Sequence, residues 1–394
     1  MAELATQTQL VLARKANPTM SADCWATLAL LIALVPIMRA VGLPLKFAWA
    51  DYFVSFWVAL TLQSIFAACV LYVVGSPYAE TLGLVIRRIR KQKARLLFLI
   101  PLVVLLIYLH GPLLGFLVFV DTIALLEFLD RSTEGGASAA KMLLDVFIPA
   151  AYLFVVLILV FAYNDIIALL RYDGSWEYAM NRADAFILSG HTVSPWAHAV
   201  LSRWPQSVPW LQVIYFAMFM QIGAAIAILA LRNGRSIALK FVGTIAFAYY
   251  ASLFIFYWMP TTGPYAICRD HFSFFPAGTS MYETQQALLG SLSQLRLSHT
   301  LNMIGKDYFI GFPSMHIVQP LIVLWFFRAR KGLLILLIAF DILLVPAILL
   351  LEEHYLVDLI AAIPVAALAI AICGRQTAIG GVQNGRATVP AEGP

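Results

Sequence analysis

A histidine and an aspartate stand four residues apart near the end of the sequence. His354 and Asp358 belong to the segment Glu352-Glu353-His354-Tyr355-Leu356-Val357-Asp358. In a helix, this spacing places both side chains on one face, about one turn apart. Asp358 can then accept a hydrogen bond from one ring nitrogen, which fixes the tautomer and makes the other nitrogen more nucleophilic. The alternative is a polar pair that only faces lipid headgroups.

A second histidine follows a Gly/Pro turn in the segment Gly311-Phe312-Pro313-Ser314-Met315-His316. The turn predicts a helix that begins near Ser314. Helix N-termini bind phosphate oxygens through free N–H groups and the helix dipole. His316 could then donate a proton to a departing oxygen. Taken alone, Ser314 could be just a helix N-cap.

The composition indicates that these residues belong to a membrane protein. The 394 residues are 62% hydrophobic and 12% charged, whereas a soluble domain carries roughly 25% charged residues. The apolar residues form blocks of roughly 20, the length of a membrane-spanning helix. The net charge of +5 comes from basic residues in short loops, so it indicates membrane orientation and no nucleic-acid partner.

The apolar blocks predict an all-α fold, a polytopic transmembrane helical bundle. The predicted helices are 26–43, 52–74, 96–110, 113–129, 142–170, 210–231, 237–258, 314–328, 332–351 and 354–373. Helices 96–110 and 113–129 are short and predict a shallow hairpin. Two further stretches do not span: 172–209 has the composition of interfacial helices, and 259–312 predicts an ordered loop that contacts substrate.

The basic loops predict the orientation. Six arginines and lysines between Arg87 and Arg95 have no acidic neighbour, which makes this connection cytoplasmic. The basic clusters at Arg232–Lys240 and Arg328–Lys331 fit the same alternation. Both termini then lie in the cytoplasm. His316 and His354 lie on the opposite face, which is periplasmic, extracellular or lumenal.

Together, the two motifs resemble the phosphatidic acid phosphatase type 2 superfamily, whose signature pairs a Pro-Ser…His element with His-x-x-x-Asp. Here the elements are Pro313-Ser314-Met315-His316 and His354 to Asp358. The resemblance covers about residues 142–375 and implies a six-helix catalytic core. We therefore expect an N-terminal membrane region at 1–141, with about four membrane helices, this core at 142–375, and a disordered cytoplasmic tail at 376–394.

A Gly-Pro element, Gly263-Pro264-Tyr265, resembles the branch that contains inositol phosphorylceramide synthases and sphingomyelin synthases. Resemblance to that branch implies phosphoryl transfer between lipids, without metal or cofactor, although two histidines and a carboxylate could in principle hold a metal. It also implies that Gly263, Pro264, Tyr265, Ser314 and Tyr355 contact the substrate.

The sequence departs from the phosphatases of this superfamily in the residues that grip phosphate. Their Lys-x6-Arg-Pro motif is absent, and acidic residues precede His354. Arg269, or else Arg296 or Lys306, could supply the positive charge that phosphoryl oxygens need. Arg269 could equally be a loop residue that faces headgroups. Glu353 and the intramembrane Asp341 are expected behind the reacting groups as supporting residues.

These features predict a lipid phosphotransferase that works through a phosphohistidine. His354 would attack phosphorus, and His316 would protonate the leaving oxygen, before a lipid alcohol accepts the phospho-headgroup. The partners are then membrane lipids, a phospholipid donor and an alcohol acceptor. Two alternatives stay open: hydrolysis of a lipid phosphate by water, and a transporter or lipid-binding scaffold without chemistry.

Overall fold

The computed structural model describes residues 22–40, 139–268, 275, 280–298 and 310–374. Within these residues every regular element is a helix and no β-strand occurs, which confirms the predicted all-α class. The predicted helices 52–74, 96–110 and 113–129 and the tail 376–394 lie outside the described residues, so they stay predictions.

Ten α-helices lie in this part of the chain, and we number them in chain order. They are α1 (Ala22–Ala40), α2 (Ala139–Arg171), α3 (Ser175–Ile187), α4 (Val193–Leu201), α5 (Val208–Asn233), α6 (Arg235–Trp258), α7 (Ser280–Ser298), α8 (Met315–Phe327), α9 (Lys331–Leu350) and α10 (Leu356–Ala369). A π-helical turn, Ile370–Gly374, continues α10.

Six apolar segments among the described residues have the length and composition of membrane spans. They fall on α1, α2, α5, α6, α9 and α10, and α8 is a shorter apolar helix. Each lies where the apolar blocks predicted a helix, with ends that agree within four residues. The chain is therefore a multi-pass integral membrane protein, because a helix satisfies its backbone hydrogen bonds internally in lipid.

Helix α6 lies at the centre of the bundle. It packs against α1, α2, α5, α8 and α10, and half of its residues are buried around most of its circumference. Such all-round burial is expected for a helix that is apolar on every side. Helices α8 and α10 pack against each other and against α6, which brings the beginnings of α8 and α10 together at one end of the bundle. We call this the histidine end.

Helix α1 is attached to α2 and α6 by polar contacts within the apolar bundle. The Tyr152 hydroxyl donates to Asp23 Oδ2 at 2.8 Å, and the hydroxyls of Thr27 and Tyr250 are 2.7 Å apart. Gly243 of α6 leaves space for the Asp23 carboxylate, which stands where a Cβ atom would be. Hydrogen bonds between helices are a common means of association in membranes, so this cluster determines where α1 packs.

Two short helices lie outside the spanning bundle, within the stretch 172–209 that predicted interfacial helices. Helix α3 packs against α10, and α4 packs against α9. Large apolar side chains point away from the protein here: Phe186 is 89% exposed and Tyr178 is 59% exposed. Aromatic residues in such positions are typical of the membrane–water interface.

The Thr27 hydroxyl provides a test of the α1 attachment. We expect Thr27→Val to lower the free energy of unfolding by about 1 kcal/mol, because a hydrogen bond between membrane helices is lost. Thr244→Val is the matched control, since the Thr244 hydroxyl donates to the Lys240 carbonyl of its own helix, at 2.8 Å. Thermal unfolding in detergent measures both, and equal losses would contradict the role of Thr27.

Candidate active site

Two buried histidines meet at the histidine end. His316 lies in the first turn of α8, and His354 lies in the loop before α10. Their side chains approach with 3.2 Å between His316 Nδ1 and His354 Nε2, and the residues are only 6% and 3% exposed. The structure therefore brings together two residues that lie 38 positions apart and that the sequence assigned to one site.

A backbone carbonyl determines which nitrogen of His354 is free to react. His354 Nδ1 is 2.8 Å from the Gly311 carbonyl oxygen, and a carbonyl oxygen can only accept, so Nδ1 carries the proton. Burial lowers the pKa of His354 to about 4, although Glu353 and the Gly311 carbonyl act in the opposite direction. The ring is therefore neutral at pH 7, and Nε2 has a lone pair.

Asp358 does not make the hydrogen bond that the sequence predicted. Its Oδ2 is 3.4 Å from His354 Nδ1, and Oδ2 instead accepts the Tyr355 N–H at 2.8 Å. The reason is local: α10 begins at Leu356, so His354 is not on the helix, and Asp358 is at the third helical position, where an acidic side chain reaches back to the N-cap residue. Asp358 thus shapes the loop and lies beside the His354 ring.

His316 is fixed by an aromatic ring and has an unused nitrogen. The rings of Tyr215 and His316 stack with centroids 4.1 Å apart. His316 Nε2 and the Ser314 hydroxyl are buried, and neither has a hydrogen-bond partner among the residues that the structure describes. Buried polar atoms are nearly always satisfied, and these two belong to the first turn and N-cap of α8, where a helix attracts anions. This arrangement suits an anionic substrate group.

Two glycines allow three loops to stack beside His354. A Cβ atom on Gly263 would lie 2.6 Å from the Glu353 carbonyl oxygen, and one on Gly311 would lie 2.7 Å from the Thr262 carbonyl oxygen. Both distances are below van der Waals contact, so only glycine fits at either position. The Gly311 N–H also donates to the Thr261 carbonyl at 2.6 Å. The loop around Thr262 therefore supports the carbonyl that orients His354.

The Gly-Pro element has a supporting position in this stack. Pro264 begins a short 3-10 turn, Pro264–Ala266, and Tyr265 is buried. The sequence predicted that Gly263, Pro264 and Tyr265 contact the substrate. The structure places Gly263 and Tyr265 against the backbone of Glu352 and Glu353, next to His354, and the substrate contact stays a prediction.

A partly exposed carboxylate lies at the edge of the site. Glu353 Oε1 accepts from Gln285 Nε2 of α7 at 2.6 Å, and its Oε2 is 3.4 Å from the Tyr215 hydroxyl. Tyr215 also stacks on His316. Glu353, which precedes His354 in the chain, is therefore linked through Tyr215 to the second histidine. Glu353 thus lies next to the histidine pair, and its supporting role, expected from the sequence, stays a prediction.

Two buried carboxylates of α3, neither predicted as a site residue, lie behind the His354 loop. Glu177 accepts from the N–H and hydroxyl of Thr262 at 2.7 and 2.9 Å and from the Tyr355 hydroxyl at 3.1 Å. Asp184 accepts the N–H groups of Leu356 and Val357. Burial raises the pKa of Glu177 to about 7 and raises that of Asp184. The spacing of seven between them was the available sequence signal, since it places both on one helical face.

Other predicted residues lie away from this cluster or outside the described part of the chain. Asp341 is in the middle of α9, roughly 14 Å along the helix from its end, and pairs with Gln221 at 3.0 Å. Arg269 and Lys306 lie outside the described residues, and only the backbone of Arg296 is described. Within the described residues, no group of three or more histidine, cysteine or acidic side chains could hold a metal ion.

Comparison with known proteins finds a family model that matches the part of the chain that contains both histidines. The family model of the PAP2 superfamily matches residues 188–372, a stretch that contains Gly311, Ser314, both histidines and Asp358. No curated protein and no solved structure matches the chain. The family match implies a phosphatase-type enzyme with a lipid-related phosphatase or phosphotransferase activity.

Gly311 provides a test of the loop stack. We expect Gly311→Ala to reduce the turnover of lipid phosphate esters by about tenfold to a hundredfold, because displacement of a reacting group by about 1 Å has this effect. Gly290→Ala is the matched control, since a Cβ atom there meets nothing within 4 Å. Turnover is measured in detergent micelles at matched protein concentration. Unchanged turnover in Gly311→Ala would show that the orientation of His354 does not depend on this contact.

Proposed function

We propose that the protein is a lipid phosphotransferase that forms a phosphohistidine on His354. The observation that carries the proposal is the pair of facing ring nitrogens, 3.2 Å apart, with the His354 tautomer fixed by the Gly311 carbonyl. Nδ1 of His354 is occupied by that carbonyl, so Nε2 is the nucleophilic atom. This nitrogen points at His316, the residue proposed to act as acid and base.

The first step transfers the phospho-headgroup to the enzyme. The lone pair of His354 Nε2 forms a bond to phosphorus, the bond from phosphorus to the lipid oxygen breaks, and His316 gives its proton to that oxygen. The anionic phosphate favours the protonated form of His316 before the step. Because the two rings are in hydrogen-bond contact here, the substrate must separate them when it binds. The unpartnered Ser314 hydroxyl and the N-terminus of α8 are the donors proposed for the phosphoryl oxygens.

The second step returns the enzyme to its resting state. An acceptor hydroxyl gives its proton to the now neutral His316, and its oxygen forms a bond to phosphorus while the bond to His354 Nε2 breaks. His316 acts first as an acid and then as a base, as microscopic reversibility requires. Asp358 Oδ2 lies 3.4 Å from Nδ1, a position from which an ionised carboxylate stabilises the positive charge that develops on the His354 ring.

The acceptor distinguishes a transferase from a phosphatase, and we propose a lipid alcohol such as a ceramide or a diacylglycerol. Two observations support transfer over hydrolysis. Both histidines are buried at one end of a bundle of membrane-length apolar helices, which favours an acceptor that comes from the membrane. The residues that grip phosphate in the phosphatases of the superfamily are also absent from the sequence. The Gly-Pro element supports the same branch through resemblance alone.

The membrane orientation belongs to the same proposal. The basic clusters lie at the ends of α5 and α8 that are remote from the histidines, and basic loops favour the cytoplasm. We propose that the histidine end faces the periplasm, the cell exterior or an organelle lumen. The donor and acceptor are then lipids of that leaflet, and both termini lie in the cytoplasm.

Trapping of the intermediate tests the chemistry. Incubation with phospholipid labelled in the phosphate should give a phosphohistidine that mass spectrometry at alkaline pH locates at His354. His354→Asn should abolish the label, and His316→Asn should slow its formation and its loss. His191→Asn, a change of an exposed loop histidine, is the control. Lipid binding or flux that survives His354→Asn, with no label in the wild type, would instead support a transporter or scaffold.

A second experiment decides between transfer and hydrolysis. The protein in vesicles is given a fluorescent short-chain ceramide or diacylglycerol together with one phospholipid donor at a time. We expect a new fluorescent lipid that carries the phospho-headgroup of the donor. Release of a water-soluble phosphate without that lipid would show that water is the acceptor and would overturn the transferase proposal.

A further inference from the structure

Helix α3 has an unusual distribution of polar and apolar side chains. Its buried residues are Glu177, Met180 and Asp184, at spacings of three and four, so they lie on one face. Its outward side chains include Tyr178 and Phe186, which are largely exposed. An ordinary surface helix buries its apolar face, whereas α3 directs two carboxylates inward. A buried carboxylate is costly unless it is hydrogen-bonded, so the contacts of these two need an explanation.

Asp184 completes the N-terminus of α10 from another element. The first N–H groups of a helix have no partner within the helix. Here the N–H groups of Leu356 and Val357 donate to Asp184 Oδ2 and Oδ1, at 2.9 and 2.8 Å. The Tyr355 N–H is satisfied by Asp358. A carboxylate beside the positive end of a helix dipole is also electrostatically favourable. Asp184 thereby fixes the backbone two residues after His354.

Glu177 fixes the other side of the same loop. It binds the Tyr355 hydroxyl at 3.1 Å through Oε2. Through Oε1 it binds the backbone and the hydroxyl of Thr262, whose carbonyl packs against Gly311. Glu177 therefore binds both Tyr355, which follows His354, and the Thr262 loop, which packs against Gly311. Both partners of the hydrogen bond between His354 and Gly311 depend on α3.

We propose that α3 is a positioning element, in which Asp184 and Glu177 keep the His354 loop at the distance from Gly311 that phosphoryl transfer requires. Neither residue touches the reacting atoms. Asp184 acts through the N–H groups of α10, and Glu177 acts through Tyr355 and Thr262. The inference rests on the proposed function for its consequence in catalysis. Its structural part, the attachment of the loop by α3, can be measured without substrate.

Hydrogen exchange of the Leu356 and Val357 amides tests that structural part. In Asp184→Ala we expect both amides to exchange at least tenfold faster than in the wild type, because their acceptor is gone. Asp184→Asn retains one carbonyl oxygen and should give an intermediate increase. Asp145→Ala is the matched control, since Asp145 faces Arg235 at 3.8 Å and is remote from the loop. The inference would be overturned if Asp184→Ala increased the exchange rate throughout the protein, or if it did not increase the rate at Leu356 and Val357.

Steady-state kinetics of the same variants test the catalytic part. We expect Asp184→Ala to lower kcat by about tenfold to a hundredfold with KM within about twofold, since the substrate contacts are unchanged. Asp184→Asn should recover part of kcat, and Glu177→Gln should lower kcat because its amide group cannot accept every bond of the carboxylate. If the wild type forms the phosphohistidine and Asp184→Ala leaves kcat unchanged, the positioning role of α3 is refuted and the proposed function is not. If the wild type forms no phosphohistidine, the proposed function is refuted. The hydrogen-exchange result then still tests the attachment of the loop by α3.

Discussion

The hydrogen bond from His354 Nδ1 to the Gly311 carbonyl is the interaction on which the rest of the site depends. It determines the tautomer, so it determines that Nε2 carries the lone pair. A buried neutral imidazole with one nitrogen occupied has a single direction in which it can react. The direction here is toward His316. Each element of the histidine end can be understood by how it fixes one of the two partners of this bond.

The acceptor is held by backbone packing and the donor by carboxylates. The Gly311 segment packs so closely on the Thr262 segment that no side chain fits between them, so van der Waals contact limits the position of the Gly311 carbonyl. The His354 loop instead belongs to the beginning of α10, where unpaired N–H groups attract negative side chains. Asp358 serves this helix end from within, and Asp184 serves it from α3.

Most of the helical architecture of the described residues followed from the sequence, because twenty apolar residues in a row leave few alternatives to a spanning helix. The pairing of His316 with His354 was also predictable, since both motifs begin helices and carry residues suited to phosphoryl transfer. The hydrogen-bond partner of His354 was not predictable in this way. The pattern pointed to Asp358, whereas the acceptor is a backbone carbonyl, which every residue type possesses and no motif reveals.

The supporting carboxylates escaped prediction for a different reason. The stretch around α3 is rich in aromatic and charged residues, which predicts helices that lie in the membrane interface. That composition does not show which charged side chains point inward. The acceptor role of the two carboxylates depends on loops that are distant in sequence, such as those at Thr262 and Tyr355. Only a tertiary structure can identify such partners.

The outward face of α3 brings the surrounding solvent into the energetics of the site. Phe186 and Tyr178 are exposed to whatever covers this end of the bundle, while the other face of the same helix holds the His354 loop. The transfer free energy of those rings between water, detergent and lipid therefore contributes to the stability of the docked helix. The medium into which the protein is extracted thus contacts the same helix that holds the His354 loop, so the lipid or detergent is a variable to state beside any measurement on this end of the bundle.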